Sequence, residues 1–302
     1  MSMTGNGPFF LIGLLAWLLP VLSHAAALID QTGRSVEVPD EPKRIISLMP
    51  SLTEMVFELG QGERIIAVTQ YSDDPPAAAR LPRVGSYVHL DLERIVALRP
   101  DLCLAYRDGN PQIILDRLAA LGIPVYTFDP RSLEGIMDAV SRLGVVVHAE
   151  ARAAGQVALM QKQLQEVEAR VARIGQRPRV FFQIDASHLV SAGSNTFIHK
   201  LITRAGGINL AAGDTPYPRY SWEDVLLMQP EVVIVTSMAG GYSEEQLKAA
   251  WIKWPQLPAV RDKRLYAVAA DEFDRPTTGL FTSLGKLAEM LHPELRVSAG
   301  KD

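Results

Sequence analysis

The sequence has little of what catalytic, metal and nucleic-acid functions are usually read from. A single cysteine, Cys103, occurs among 302 residues, so no disulfide framework or thiolate cluster can form within the chain. In the apolar run DLCLAY it reads as a small core residue. There is no basic run and the net charge is -4, which removes the clustered Lys and Arg of a nucleic-acid footprint. The motifs G-x-S-x-G and H-E-x-x-H, a Walker phosphate loop and a G-x-G-x-x-G after a strand are all absent. His89, His148, His188, His199 and His292 are scattered without the paired spacing of a zinc site. His89 reads as a solvated loop residue. The sequence therefore assigns no catalytic residue, no metal ligand and no enzyme class.

The first 27 residues contain no Asp, Glu, Lys or Arg. Their apolar run, Phe9 to Leu22, fits the roughly 7–15 residues of a signal-peptide core and falls short of the ~20 needed for a membrane span. Residues 1–27 are thus expected to be a secretory signal peptide, cleaved near Ala25 to Ala27. With no Lys or Arg before the run, an uncleaved anchor is the alternative. No cysteine follows the run to carry a lipid, so a soluble periplasmic protein is the expectation.

At 48% hydrophobic and 21% charged residues, the remaining chain has room for about two domains. Short apolar runs alternate with helical patterns, the signature of βα units and parallel sheets. Strands are expected at Ile45 to Leu48, Ile65 to Val68, Leu102 to Ala105, Val125 to Phe128, Val180 to Ile184, Val232 to Thr236 and Leu265 to Ala269, with a helix from Ser51 to Leu59. From Val147 to Ile174 turn signals are almost lacking, and Val157, Leu164, Val167 and Val171 form a helical stripe. One long helix is predicted, either connecting two lobes or lying on one. The expected division is an N-terminal lobe at 28–146, a bridging helix at 147–175 and a C-terminal lobe at 176–302.

An internal repeat supports two lobes. LERIVALRPDLCLA, from Leu92, aligns without gaps to WEDVLLMQPEVVIV, from Trp222, at an offset of 130 residues. Glu93 meets Glu223, Pro100 meets Pro230, Asp101 meets Glu231, and at the same offset Tyr87 meets Tyr217. PKRIISL and RPRVFFQI pair in the same sense. Each copy reads as helix, proline turn and buried strand, a unit common enough that chance similarity is the competing explanation.

Two α/β lobes put their strand ends on either side of a cleft, so function belongs in the loops that follow the strands. Those loops carry Tyr71, Tyr87, Tyr106, Tyr217, Tyr220 and Phe273, broad rigid faces suited to a flat macrocycle or to half-buried packing. Asp271, Glu272 and Asp274 read as solvated loop charges or polar ligand contacts. Glu93 and Glu223 follow the N-cap candidates Asp91 and Ser221. They serve either the helix dipole or an arginine-bearing two-fold partner.

Several stretches in one order, IISLMPSLTEMVFELG, YSDDPP, LDLERIVALRPDLCLAYRDGN, SAGSNTFIHKLITRAGGINL, PYPRYSWEDVL and DEFDRP, cover about Pro42 to Leu291. In these the chain resembles the helical-backbone class of ABC solute-binding proteins and, within it, the periplasmic cobalamin-binding family. The resemblance implies two Rossmann-like lobes joined by a long rigid backbone helix, with the ligand between them. It implies a monomer that binds cobalamin or a related corrinoid as transported ligand, with no cofactor, and delivers it to an ABC permease dimer with its ATPase. It also implies cleft contacts at Pro50, Tyr71, Tyr87, Tyr106, Tyr217, Asp271, Phe273 and Arg275, and permease docking through Glu93 and Glu223. Tyr87, Tyr106 and Tyr217 stand where a family relative carries tryptophan. Relatives of the same fold carry haem, for which Tyr87 or His89 would be the axial candidate, or ferric siderophores, for which Arg107, Arg219 and Arg275 would begin a basic set. A secreted enzyme is the remaining alternative.

Overall fold

Each expected strand is present within a residue or two, because each is a short apolar run that a parallel sheet can bury on both faces. The computed structural model describes residues 25–237 and 242–298. The expected signal segment lies outside them up to residue 24; Ala25 to Ala27 open the first strand. That strand, β1 (Ala25–Ile29), pairs antiparallel with β2 (Ser35–Pro39). Asp30 closes the turn between them, its Oδ1 accepting from the backbone N–H of Thr32 and Arg34 at 2.9 and 3.0 Å.

The first lobe then builds a parallel sheet from β3 (Ile45–Ser47), β4 (Ile65–Val68), β5 (Leu102–Tyr106) and β6 (Val125–Phe128), in the order β4-β3-β5-β6. Its helices are α1 (Pro50–Glu58), α2 (Leu92–Ala97), α3 (Gln112–Ala120) and α4 (Leu133–Val146). After α5 (Glu150–Val171), the second lobe repeats the plan with β7 (Arg179–Gln183), β8 (Ile208–Asn209), β9 (Val232–Val235) and β10 (Leu265–Ala267), in the order β10-β9-β7-β8. Its helices are α6 (Phe197–Arg204), α7 (Trp222–Met228), α8 (Glu244–Ala249), α9 (Pro258–Arg261), α10 (Ala270–Phe273), α11 (Leu280–Leu291) and α12 (Glu294–Ser298). In both lobes the first strand lies between the second and the third, with the fourth beyond the third.

The repeat read from the sequence is therefore a repeat of structure. Arg99 and Gln229, at matched positions, both take a left-handed backbone, with φ of 47° and 48°. Each precedes the matched proline, whose ring disfavours the helical conformation at the preceding residue, so α2 and α7 stop within one residue of the same place. The matched acids then do the same work. Asp101 accepts from the backbone N–H of Lys43 and Arg44 at the start of β3, and Glu231 accepts from that of Arg179 at the start of β7.

The predicted helix over 147–174 is shorter at its beginning, and the difference has a local cause. His148 turns left-handed, with φ of 54°, and splits α4 from α5. Gly144 lets the two pack closely: a Cβ there would lie 2.5 Å from that of Ala153. At about 1.5 Å per residue α5 is roughly 33 Å long. It buries Ala153, Met160, Leu164, Val167 and Val171 against α4 at one end and α11 at the other. One apolar cluster consequently runs from Ile45 and Leu104 of the first sheet through these residues to Val180 and Phe182 of the second. Arg204 of α6 adds ion pairs to Glu134 of α4, at 2.7 Å, and to Glu168 of α5.

Candidate functional site between the lobes

The carboxyl ends of both sheets face a common cleft, and the loops leaving them line three adjoining cavities. The first, about 260 Å³, is bounded by Met49, Tyr87, Tyr106, Asp108, Phe128, Asp129 and Arg131 from one lobe and by Ile184, Asn195, Thr196, Phe197, Tyr217, Asp274 and Pro276 from the other. The second, about 50 Å³, lies between Pro50, Tyr71, Tyr87, Asp271 and Arg275. The third, about 480 Å³, is lined by Tyr71, Tyr87, His89, Asp185, Val190 and Arg219. Tyr87 borders all three.

Tyr87 is held from behind. Gly85, with φ of 92°, begins its loop, and a Cβ there would lie 2.3 Å from the carbonyl oxygen of His89, so the tight reversal needs glycine. Buried Asn110 then brackets three loops. Its Nδ2 donates to the carbonyls of Tyr87 and Leu48 at 2.9 and 3.0 Å, and its Oδ1 accepts from the Tyr106 N–H at 2.9 Å. Tyr71 meets Tyr87 edge to face with ring centres 6.1 Å apart. Tyr106 is buried; its ring packs on Phe128, and its hydroxyl donates across the cleft to the carbonyl of Pro276 at 3.3 Å.

Of the residues singled out from the sequence, Pro50, Tyr71, Tyr87, Tyr106, Tyr217, Asp271 and Arg275 all border this cleft. Phe273 does not. One turn of α10 rotates it inward, where it is 1% exposed and packs against Phe182 with ring centres 6.5 Å apart. Arg275 serves partly as a tie between lobes: it pairs with Glu54 of α1 and with Asp271, the latter at 2.5 Å. Burial pushes the Glu54 carboxyl up to about 7, Arg275 opposing the shift and Asp74 and Asp271 adding to it. Nearby, Thr278 Oγ1 donates to Glu58 at 2.7 Å.

The acidic run DEFD hides one unusual group. Asp274 is 7% exposed, borders the first two cavities, and neither carboxylate oxygen has a hydrogen-bond partner. The Thr236 hydroxyl beside it donates instead to the carbonyl of Gln183 at 3.2 Å. Burial pushes Asp274 up to about 8, so near neutral pH the carboxyl under the cleft is held uncharged. Arg131, by contrast, is spoken for, at 2.7 Å from Asp108 and 2.8 Å from Asp129. Met49, Arg131 and Asn195 carried no signal as isolated letters; the first two reach the cleft because β3 and β6 end just before them, and Asn195 because it immediately precedes the N-cap of α6.

Away from the cleft, Glu93 and Glu223 sit in the first turns of α2 and α7, both exposed and, among the described residues, with side chains that make no ion pair or hydrogen bond. Asp91 caps α2 by accepting from the Arg94 N–H, and Ser221 and Asp224 form a capping box on α7. The capping positions are thus filled by other residues, and the two glutamates are free of that duty.

Residues 45–272 match the profile of the periplasmic binding protein family. The chain belongs to that family. It is 32% identical, over 82% of its length and 86% of the relative's, to a vitamin B12-binding protein of Yersinia pestis. Among solved structures it is similar to the periplasmic vitamin B12-binding protein BtuF of Vibrio cholerae, with 29% identity, a TM-score of 0.72 and 84% and 98% of the two chains covered. It is also similar to a periplasmic heme-binding protein of Pseudomonas aeruginosa, with 26% identity, a TM-score of 0.75 and 83% and 93% covered. The family is of the solute-binding type, not an enzyme class, and its members work with ABC permease and ATPase components.

Proposed function

We propose that this protein binds cobalamin or a related corrinoid in the periplasm and delivers it to an ABC permease dimer, acting as a monomer without cofactor or turnover. The observation that carries the reading is the cleft wall: Tyr71 and Tyr87 from the connection between β4 and α2, Tyr106 at the end of β5 and Tyr217 from the loop before α7 converge on one set of cavities. Such rings offer wide apolar faces to a flat macrocycle at small entropy cost. Around them stand groups suited to a neutral rim of amides. Asp108, Asp129 and Asn195 can accept amide N–H groups, and the uncharged Asp274 adds no further charge beneath them. Pro50, Asp271 and Arg275 close the narrow end, and Phe273 backs the wall from the core.

The same groups argue against the alternatives. A haem would call for a tyrosinate or histidine ligand; burial, Tyr71 and Asp274 all raise the Tyr87 pKa and so disfavour its phenolate, while His89 is exposed. A ferric siderophore would call for several free cations, but of Arg107, Arg219 and Arg275 the first and last pair with carboxylates, which leaves Arg219 alone without an ion pair among the described residues. Calorimetric titration of the mature protein with cyanocobalamin, haemin and a ferric siderophore tests the reading. Saturable one-to-one binding is expected with the corrinoid, which should be recovered chemically unchanged. No binding of any corrinoid would sink the assignment.

A further inference from the structure

The cleft is electrically lopsided in a way that the ring-binding wall does not require. Two carboxylates, Asp108 and Asp129, gather at the 260 Å³ cavity beside the uncharged Asp274, and its one guanidinium, Arg131, is held by the first two. At the other end, the 480 Å³ cavity has one arginine, Arg219, and among the described residues Arg219 has no ion pair or side-chain hydrogen bond. The carboxylate nearest in kind, Asp185, turns instead to the Ser187 N–H at 2.7 Å and to His188 at 3.3 Å.

Arg219 is nonetheless well placed. Its backbone forms a bridge with Val190, and its neighbours are pinned on both sides: Ser191 N–H donates to the Pro218 carbonyl at 3.0 Å, and Tyr220 N–H donates to the Leu189 carbonyl at 2.9 Å. A fixed backbone thus holds an uncommitted arginine on the lining that the larger cavity shares with His89 and the Tyr71–Tyr87 pair. A corrinoid with a nucleotide loop is asymmetric in the same sense. Its ring edge bears neutral amides, and its one anionic group is the phosphodiester of the loop, carried on an arm beyond the ring.

We infer that Arg219 receives this phosphodiester, so that the ligand lies with its amides toward the acidic cavity and its nucleotide loop in the larger one. The inference rests on the corrinoid reading above and adds to it an orientation and a selectivity. Arginine suits the task because its planar donors match two phosphate oxygens at once. The consequence is a preference for complete corrinoids over those that lack the loop.

The test titrates cyanocobalamin and cobinamide, which has no nucleotide loop or phosphodiester, into the wild type, Arg219→Gln and Arg219→Lys. Thermal unfolding of the exposed-site variants should match that of the wild type. Arg219→Gln is expected to weaken cyanocobalamin about tenfold, the scale of one charge-assisted hydrogen bond, and to leave cobinamide unchanged. Arg219→Lys should recover part of the loss, and added salt should shrink the wild-type advantage. Equal weakening of both ligands, or of neither, overturns the role of Arg219 while the corrinoid reading stands. Binding of neither corrinoid to the wild type overturns both.

Discussion

Asp274 shows how much a single residue's place in the fold can differ from its look in the sequence. In DEFDRP, Asp271, Glu272 and Asp274 look alike. One helical turn leaves the first two with side chains 70% and 45% exposed and carries the third into the cleft floor. The same turn sends Phe273 to the core, which is why an aromatic next to cleft residues proved to be packing. Periodicity could not decide this, because α10 is only four residues long and its rotation is set by where β10 ends. The sign of the resulting pH effect is definite. Asp274 holds its proton to about 8 when folded, against 3.8 for the ordinary group, so between these values the unfolded chain binds fewer protons than the native one. Stability contributed at this site is therefore full below about pH 4 and is lost as pH rises toward 8. Asp274→Asn keeps the shape and removes the ionisation. Its melting temperature relative to wild type should rise from pH 5 to pH 9, by the equivalent of up to about 4 kcal/mol; a difference independent of pH would show that the carboxyl is not buried as described.

At the level of elements, the strands were legible because burial on both faces leaves an uninterrupted apolar run, and the cleft loops were legible because they follow those runs. What escaped was set by pairing or by backbone rather than composition. The hairpin β1–β2 carries no strong pattern, β8 has two residues, and the turn at His148 has neither glycine nor proline to announce it. Asn110 belongs here as well: in AYRDGN it resembles an ordinary turn residue, yet it is the bracket for three loops. Asn110→Ala would leave the Tyr106 N–H and the carbonyls of Leu48 and Tyr87 short of a partner in or near the core. A loss of about 1–3 kcal/mol in denaturant unfolding is expected. Corrinoid affinity should fall as well, because the loop of Tyr87 loses its support. A variant with lowered stability and unchanged affinity would show that the loop is held by Gly85 alone.

Across the whole molecule, the duplicated lobes put the same surface twice around one rigid axis. Along α2 and α7 the alternation of exposed and buried positions matches from Asp91 to Pro100 and from Ser221 to Pro230, except at Val96 and Leu226. Glu93 and Glu223 thus occupy equivalent places, and the apolar cluster through α5 fixes their separation instead of leaving it to a hinge. A two-fold permease with one arginine cluster per subunit could engage both carboxylates at once only if that separation is kept. Docking through the pair, which we propose, then has effects separable from ligand binding. Charge reversal in Glu93→Lys with Glu223→Lys should cost no more than about 1–2 kcal/mol of stability, since both side chains are exposed and unpartnered and lose only their favourable place at a helix N-terminus, and should leave the corrinoid affinity of the purified protein unchanged. Uptake by cells carrying the cognate permease should be lost in the double variant and reduced to a similar degree in either single one, because the lobes are alike. Reduced solution affinity would move the two glutamates from the docking surface to the ligand, and full uptake with both reversed would remove them from the transport cycle.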